Sequence, residues 1–256
     1  MTKDLVFTID VEEWFHAENI STYVYDTAHS SMGLLYTLLE ILERKNARGT
    51  FFWLSDVAVK NKRLLEDVVN AGHEIASHGI DHALLTSLSE TETRRQLQKS
   101  KAILEDMSGT EILGFRSPCF STNKYLSTEL SLCGYKYTSN GMHVTGHDRY
   151  GGRVKQNATA LPDFELPTIK IGRVSIPVTG GGYFRLFPAQ FQKRLINYSA
   201  VKPIIFYCHP WDFDVKQPVL NGLPFVKKFR HYVGIKSALQ KVEKFNFSNK
   251  TLSDFL

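Results

Sequence analysis

The sequence has few cysteines and no long hydrophobic run, and each absence excludes a class of protein. Only 3 cysteines occur in 256 residues, and none belongs to a Cys-x-x-Cys pair. Because one thiol stays unpaired in any disulfide scheme, Cys119, Cys133 and Cys208 argue against a disulfide-stabilised secreted scaffold. No segment approaches the roughly 18 uninterrupted apolar residues that a membrane-spanning helix needs.

A targeting segment is also lacking at the start of the sequence. The apolar part of residues 1–9 is too short for a signal peptide and is followed at once by polar residues. Together with the cysteine count, this predicts a protein of a reducing compartment, the cytoplasm.

Charge of neither sign is concentrated. The chain has 31 basic and 26 acidic residues, a formal net charge of +5. The densest basic segment, residues 227–231, is predicted to open a helix. A solvated helical face, or a mild attraction for an anionic substrate, explains this segment better than a nucleic-acid patch. Nothing in the sequence favours a nucleic-acid-binding protein or a membrane protein.

What the sequence does contain is an alternation of short apolar runs with longer helical patterns, which predicts an α/β fold with a parallel sheet. At 43% hydrophobic residues the chain can bury a large core. No linker, low-complexity tract or fixed-period repeat interrupts it. We therefore predict a single barrel-like domain over residues 1–256.

The pattern also predicts individual elements. Predicted strands are 5–9, 49–53, 73–77, 112–115, 135–138 and 204–207, with short extended pieces inside the glycine- and proline-rich stretch 140–182. Predicted helices cover about 34–42, 55–69, 89–107, 124–133, 188–199 and 227–244. Ser55 is expected to cap the second of these helices, and Ser89 with Glu92 has the spacing of a capping box.

Reactive side chains follow four of the predicted strands. Functional sites of parallel α/β folds assemble at the carboxyl ends of the strands, so these segments are expected to meet. They are Asp10-Val-Glu-Glu-Trp-Phe-His16, Ser77-His-Gly-Ile-Asp-His82, Arg116-Ser-Pro-Cys119 and Tyr207-Cys-His-Pro-Trp211.

His78 and His82 are the centre of the candidate site. With three residues between them, they can lie on one side of a helical turn and converge on a metal, although such a pair alone is as often incidental. Acids that end a buried strand are costly unless paired, ligated or solvated, so Asp10 and Glu12 are either site residues or solvated loop acids. Two imidazoles and one carboxylate, with positions open to water, form a hydrolytic zinc site.

Arg116 and His209 each allow two interpretations. Arg116 either holds a nearby carboxylate ionised through bidentate hydrogen bonds or is a surface residue before a turn. His209 either acts as a general acid or base, because the ordinary pKa of histidine is near neutral, or is a structural histidine.

Taken together, the four segments resemble the polysaccharide deacetylase family, the NodB-homology domain of carbohydrate esterase family 4. That family has an aspartate motif after the first strand, then H-[ST]-x-x-H, R-x-P-[YFW] and a late L-x-H. This chain has T-I-D-V-E, H-G-I-D-H, R-S-P-C and Y-C-H in the same order. The segments 180–188 and 209–212 are similar to a bacterial branch associated with exopolysaccharide and surface-glycan gene clusters.

The resemblance implies a distorted (β/α) barrel with about seven parallel strands. It also implies one divalent metal, usually Zn2+ with Co2+ or Ni2+ as alternatives, and N-deacetylation of an amino sugar in a glycan or glycan precursor. By position, His78 and His82 match the metal-binding histidines. Asp10 matches the catalytic base, Arg116 the residue that orients it, and His209 the catalytic acid.

The chain departs from the family pattern at two positions. Val11 stands where the family has a metal-binding aspartate. Glu12 can supply the missing carboxylate because residues i and i+2 share a face of a strand, and His16 is a further candidate near the site. Cys119 replaces an aromatic residue whose backbone N–H is the family's oxyanion donor, so the donor itself is expected to be kept.

Other roles are less defined by the sequence. Candidates for the acid that orients His209 are Asp163, Glu165, Asp212 and Asp214. Candidates for substrate contacts are Trp14, His16, Tyr183, Arg185 and Trp211. The glycine run 180–182 is predicted to be a flexible turn lining the sugar groove, because the Lys-Ser/Thr of a phosphate-binding loop is missing.

Two other functions compete with deacetylation. The altered first motif suggests a carbohydrate-binding pseudo-enzyme that keeps the barrel without turnover. Relatives with a D-x-[DE] first motif cleave other C–N bonds, which suggests an amidase or deformylase. The sequence does not distinguish a polymer, a lipid-linked glycan or a nucleotide sugar as the substrate. It does not indicate the oligomeric state either.

Overall fold

The computed structural model describes residues 4–142, 161–172, 174–199 and 201–256. Its strands are β1 (Leu5–Val11), β2 (Gly49–Trp53), β3 (Glu74–Ser77), β4 (Gly114–Phe115), β5 (Tyr137–Thr138), β6 (Thr168–Ile171), β7 (Val174–Pro177) and β8 (Ile204–Cys208). Its α-helices are α1 (Leu34–Arg44), α2 (Ser55–Lys60), α3 (Lys62–Asn70), α4 (Glu90–Ser108), α5 (Leu126–Leu132), α6 (Gly181–Leu186), α7 (Ala189–Tyr198), α8 (Phe225–Tyr232) and α9 (Ile235–Val242). Within the predicted glycine- and proline-rich stretch 140–182, residues 143–160 and 173 lie outside the described residues.

Six strands form one parallel sheet in the order β5-β4-β3-β2-β1-β8. The predicted α/β class and distorted barrel are confirmed. The sheet of the described residues has six parallel strands rather than about seven, and β6 and β7 form a separate antiparallel pair. None of the helices in the described ranges has the length and apolar character needed to cross a bilayer.

Strand β1 lies between β2 and β8 in this sheet and is buried along its whole length. Side chains alternate between the two faces of a strand. Phe7 and Ile9 pack into the larger core beneath the helices, whereas Val6 faces the smaller apolar cluster on the inner side of the sheet. Asp10 has the same parity as Val6, so β1 directs its carboxylate to the inner side.

Two predicted helices are each divided in two. Asn61 has φ −129° and separates α2 from α3, and Gly234 has φ +70° and separates α8 from α9. Ser55 begins α2 as its first helical residue and does not cap it, because the N-cap is Leu54. The capping box of Ser89 and Glu92 at the start of α4 is confirmed in both directions, with distances of 3.3 and 2.9 Å.

Candidate active site

The four reactive segments meet at the carboxyl edge of the sheet, as predicted. The strand ladder continues past the strand ends, because His78 N–H donates to Trp53 O and Arg116 N–H donates to Ser77 O. This pairing sets the ends of neighbouring strands side by side. The edge borders a cavity of about 340 Å³. Its lining includes Asp10, Glu12, His78, His82, Cys119 and His209.

Glu12, His78 and His82 form one cluster of potential ligand atoms. Glu12 Oε2 lies 2.7 Å from His82 Nε2 and 3.8 Å from His78 Nε2. Suitable donor atoms of all three residues lie within 4.8 Å of one another. Burial alone would raise the pKa of the Glu12 carboxyl, but His82 and His78 beside it hold that pKa well below its ordinary value. The cluster is therefore a carboxylate facing two imidazoles.

His78 is held in the orientation that a metal ligand needs. Its Nδ1 lies 2.8 Å from the carbonyl oxygen of Arg116, which can only accept, so Nδ1 carries the proton. Nε2 then keeps its lone pair and points toward Glu12. A second ring nitrogen that donates to a backbone carbonyl is the usual support of metal-bound histidine.

His82 reaches the cluster by a different backbone path from the one predicted. Residues 78–84 form a loop after β3, not a helical turn, and His82 has φ +64° in the left-handed region. A side chain other than glycine is strained there by about 1–3 kcal/mol, and such strain is concentrated at functional sites. The strained loop brings His82 back over Glu12.

The donor set fits a small divalent metal ion. Zinc ligands at about 2.0–2.1 Å in a tetrahedral arrangement lie about 3.3 Å apart, and the distances of 2.7 and 3.8 Å from Glu12 Oε2 bracket that value. This oxygen is fully buried and makes no hydrogen bond of acceptable geometry, even with His82 Nε2 at 2.7 Å. A metal ion bound by Glu12, His78 and His82 would give Glu12 Oε2 the partner that no hydrogen bond provides.

His16 lies beside this cluster rather than in it. Its ring stacks on that of His82 at 5.9 Å between centroids. Its Nδ1 accepts from the backbone N–H of Glu13 at 3.2 Å, which leaves the proton on Nε2 and no lone pair there for a metal. Burial lowers the pKa of His16 to about 4 and keeps the ring neutral.

Asp10 forms a buried ion pair with Arg116. Arg116 Nη1 lies 2.7 Å from Asp10 Oδ1, and both side chains are almost fully shielded from solvent. The other carboxylate oxygen, Oδ2, lies 3.8 Å from His78 Nε2 and faces the cavity. The pair therefore fixes one oxygen of Asp10 and leaves the other toward the site.

Arg116 is not a surface residue. Its remaining donors reach Thr8 Oγ1 at 3.0 Å and Ser139 Oγ at 2.9 Å, and its guanidinium lies over the ring of Phe52 at 4.1 Å. Charged groups are buried only where partners satisfy them. The sequence analysis missed Thr8 and Ser139, although Thr8 shares the inner face of β1 with Asp10.

His209 is oriented by Asp212, which decides among the four acids that the sequence left open. Asp212 Oδ2 accepts from His209 Nδ1 and from the His209 backbone N–H, both at 2.9 Å. His209 Nε2 then faces the cavity, where it lies 2.6 Å from the hydroxyl of Tyr207 and 3.6 Å from Glu12 Oε1. Burial alone would lower the pKa of His209, but the Asp212 carboxylate raises it above its ordinary value.

The other three candidate acids bond elsewhere. Asp163 Oδ1 accepts from the backbone N–H groups of Asn140 and Gly141, and the side chain of Glu165 packs against Gly141. Asp214 binds His29 Nε2 at 2.6 Å and Ser31 Oγ at 2.7 Å.

Arg185 was predicted to contact substrate, and it does line the cavity, but its charged group is bonded to protein partners. Its guanidinium is 2% exposed, with Nε 2.7 Å from Asp212 Oδ1. Its terminal nitrogens donate to the carbonyl oxygens of Arg230, His231 and Val233. Arg185 is therefore the counter-ion of the acid that holds His209.

The remaining predicted site residues have different surroundings. Trp14 is fully buried, donates from Nε1 to His29 O, and does not line the cavity, so its prediction as a substrate contact is wrong. Tyr183 and Trp211 do line the cavity, and the Trp211 ring stacks on His209 at 4.2 Å. Cys119 lines it as well, in a left-handed conformation with φ +52°.

The glycine run is not a flexible turn throughout. Gly180 has φ +107°, and α6 begins immediately after it. A Cβ at Gly180 would lie 2.5 Å from Tyr207 Cδ1, so glycine allows the Tyr207 ring to sit beside His209.

Comparison with known proteins connects this geometry to a family. Residues 25–138 match the family model described as polysaccharide deacetylase, and residues 136–254 match a model described as a domain of unknown function (DUF3473). Over 95 residues the chain is 32% identical to the peptidoglycan-N-acetylglucosamine deacetylase PgdA of Listeria monocytogenes. It is 33% identical over 72 residues to a peptidoglycan-N-acetylglucosamine deacetylase of Bacillus cereus. The chain belongs to the polysaccharide deacetylase family.

These sequence matches are partial. They cover 37% and 28% of this family member and only 20% and 26% of the two relatives, so the chain spans about a fifth to a quarter of their length. The two matched family models meet near residue 137. The sheet crosses that point, because β8 from the second segment pairs with β1.

Solved structures of the family share the fold along nearly the whole chain. A polysaccharide deacetylase structure from Mycobacterium smegmatis has a TM-score of 0.62 at 19% identity, covering 98% of this chain and 88% of that one. A carbohydrate esterase family 4 pseudoenzyme from Bacillus anthracis has a TM-score of 0.55 at 14% identity, covering 99% and 65%. At such identities the likeness shows the fold alone.

Proposed function

We propose that this family member is a metal-dependent N-deacetylase that removes the acetyl group from an amino sugar of a glycan or glycan precursor. The observation that carries the proposal is the convergence of Glu12, His78 and His82 on one point, with Asp10 and His209 facing the same cavity. The two bacterial relatives are named for the deacetylation of N-acetylglucosamine in peptidoglycan, which supports this reaction class.

Glu12, His78 and His82 would hold one divalent ion, Zn2+ by the nature of the ligands, with Co2+ or Ni2+ as alternatives. When bound, such an ion supplies a Lewis acid for the acetamide carbonyl and a water of lowered pKa. The three side chains leave positions open on the cavity side. Their burial keeps bulk water from competing for the lone pairs.

Asp10 would act as the general base. Its Oδ1 is bonded to Arg116 Nη1, which fixes the plane of the carboxylate. Its Oδ2 faces the cavity and would accept the proton of the attacking water.

His209 would act as the general acid. Asp212 accepts from its Nδ1–H and stabilises the imidazolium form, in which Nε2, the atom that faces the cavity, carries the second proton. From there it would pass to the nitrogen of the leaving amine, which releases acetate and a free amino sugar. Arg185 keeps Asp212 ionised, and an ionised Asp212 is what raises the pKa of the His209 ring.

The backbone N–H of Cys119 would stabilise the oxyanion. Cys119 lines the cavity, and Cys119 and Phe120 are consecutive residues in the left-handed region, with φ +52° and +53°. Such strain is retained where the surrounding structure imposes it. One preorganised donor contributes about 3–4 kcal/mol to the stability of the transition state.

Replacing Asp212 by asparagine is expected to lower kcat for deacetylation by about 10²-fold or more, because His209 loses the carboxylate that orients and charges it. The matched control is Asp214→Asn, two residues later in the same loop, whose carboxylate binds His29 and Ser31 rather than His209. The kcat of each variant is measured by acetate release. Equal effects of the two substitutions on kcat would contradict the role of Asp212.

A panel of acylated substrates tests the function itself. Purified protein supplied with Zn2+ is expected to release acetate from an N-acetylglucosamine oligomer faster than formate from its N-formyl analogue or acetate from a non-sugar acetamide. Faster formate release or faster cleavage of the non-sugar amide would assign a deformylase or an amidase. Bound metal without acyl release from any amino sugar would assign a carbohydrate-binding pseudo-enzyme.

A further inference from the structure

Helix α8 exposes its apolar side chains and buries a polar one. Phe225, Val226 and Phe229 are 81%, 58% and 47% exposed, whereas His231 is fully buried. A surface helix normally shows the opposite pattern, with its apolar stripe toward the core. Among the residues that the structure describes, this helix therefore keeps a largely uncovered apolar surface.

The positions along α8 explain how this surface is arranged. Residues i, i+1 and i+4 share one side of a helix, so Phe225, Val226 and Phe229 form a continuous stripe. The rings of Phe225 and Phe229 stack at 6.5 Å between centroids. Lys228 and Arg230 fall on the two sides of the stripe, and both are exposed. Residues 227–231 are thus more than a solvated charged face, because the centre of the outward side is apolar.

This stripe is fixed to the rest of the active site. Arg185 of α6 donates to the carbonyl oxygens of Arg230 and His231, which ties α8 to α6. Leu186, at the end of α6, is 44% exposed. The cavity that contains the cluster of Glu12, His78 and His82 is also lined by Leu186, Val226, Phe229 and Arg230. Val226 and Phe229 of the stripe are therefore part of the rim of the cavity, whereas Phe225 does not line it.

We propose that the α8 stripe, with Leu186, Lys228 and Arg230, is a docking surface for an anionic lipid bilayer. Interfacial helices place aromatic and aliphatic side chains among the acyl chains while flanking cations contact anionic headgroups. The stripe combines both features on one outward side of α8. The net charge of +5 adds attraction of the same sign.

Two features of the surface disfavour a second copy of this chain as its occupant. In a two-fold interface each Lys228 and Arg230 would face the same cations of the other copy, which is repulsive. The stripe of one 8-residue helix is also small beside the roughly 800 Å² that each partner of a stable complex contributes.

The consequence for substrate choice rests on the proposed function, whereas the docking does not. A bilayer against α8 would lie at the rim of the cavity that contains Glu12, His78 and His82. An amino sugar attached to a membrane lipid through an anionic linkage would then reach the catalytic groups without leaving the membrane surface.

Vesicle co-sedimentation tests the docking. The probes are vesicles of phosphatidylcholine alone and of equal parts phosphatidylcholine and phosphatidylglycerol. The unmodified protein is expected to bind the anionic vesicles about tenfold more tightly, and Phe225→Ser or Lys228→Glu to lower that affinity on the order of tenfold. Neither residue lines the cavity, so acetate release from a short soluble substrate should stay at the unmodified rate.

Two matched controls use residues outside α8. Tyr25 is 91% exposed and Lys99 lies exposed on α4, so Tyr25→Ser and Lys99→Glu should leave vesicle binding unchanged. Equal binding to both vesicle types, or α8 variants that bind like the controls, would overturn the proposal. So would a dimer in vesicle-free solution that Phe225→Ser dissociates. Because the soluble-substrate assay is separate, a failure of docking and a failure of deacetylation are distinguishable.

Discussion

Replacing Asp10 by asparagine is expected to lower kcat for deacetylation by about 10²–10⁴-fold, the usual contribution of a positioned general base. An amide cannot take the proton of the attacking water at neutral pH. The asparagine oxygen still accepts from Arg116 Nη1, which now lies 2.7 Å from Asp10 Oδ1, so the pocket keeps its shape. Substrate binding should change much less than turnover, which places the loss in kcat rather than in KM.

Stability is the variable that this experiment must separate from chemistry. Removing the charge of Asp10 leaves the guanidinium of Arg116 buried without its counter-ion, and breaking a buried pair can cost about 3–5 kcal/mol. Thermal unfolding of Asp10→Asn therefore accompanies the kinetics. Asp81→Asn is the matched control, because Asp81 lies exposed between the two metal-site histidines and binds only Gln96 among the contacts described.

A folded Asp10→Asn protein with kcat within threefold of the unmodified enzyme would exclude Asp10 as the base. Asp81→Asn should retain its rate in either case, since its carboxylate is directed to α4 and not to the cavity. A loss of activity in both variants would instead indicate that the loop, rather than the base, was disturbed.

The parts of the site that follow from local periodicity could be predicted from the sequence. Asp10 and Glu12 were predicted to share one side of the first strand because strand side chains alternate. Both line the cavity, although Glu12 lies one residue past the end of β1. His78 and His82 were predicted to converge, and they do. The predicted helical turn between them is absent, because the φ of +64° at His82 depends on tertiary contacts rather than on residue type.

The parts that depend on distant contacts could not be predicted. His209 and Asp212 have the i, i+3 spacing of a capping box, but histidine is not a usual N-cap residue, so this spacing did not single out Asp212 from Asp214. Arg185 is separated from Asp212 by 27 positions and meets it only because α6 packs beside the loop after β8. The exposure of the apolar side of α8 could not be predicted for the same reason. Helix propensity alone does not say which face of a helix is buried.

Glu12 is expected to be the third metal ligand, and Glu12→Gln tests this directly. The substitution keeps the size of the side chain and an oxygen for the Trp211 Nε1–H, now 3.2 Å from Glu12 Oε1. It removes the negative charge that faces His78 and His82. Loss of a ligand should lower metal affinity by more than the roughly 10–100-fold that second-shell changes cost. Metal content after dialysis, measured by atomic emission, should fall from about one ion per chain to a small fraction.

His16→Gln provides the matched comparison, because His16 was the other candidate and lies against His82. Its Nδ1 is occupied by the Glu13 N–H, so the variant should keep its metal and most of its activity. Chelated unmodified protein should lose acetate release and regain it when Zn2+ is returned, whereas Glu12→Gln should regain little at the same concentration. Full metal content in Glu12→Gln, or metal loss confined to His16→Gln, would contradict this assignment. The third ligand would then belong to the turn that contains His16, not to Glu12 directly after β1. That outcome would also leave Glu12 Oε2 without a partner. A buried carboxylate oxygen that has neither a hydrogen bond nor an ion is too costly to persist.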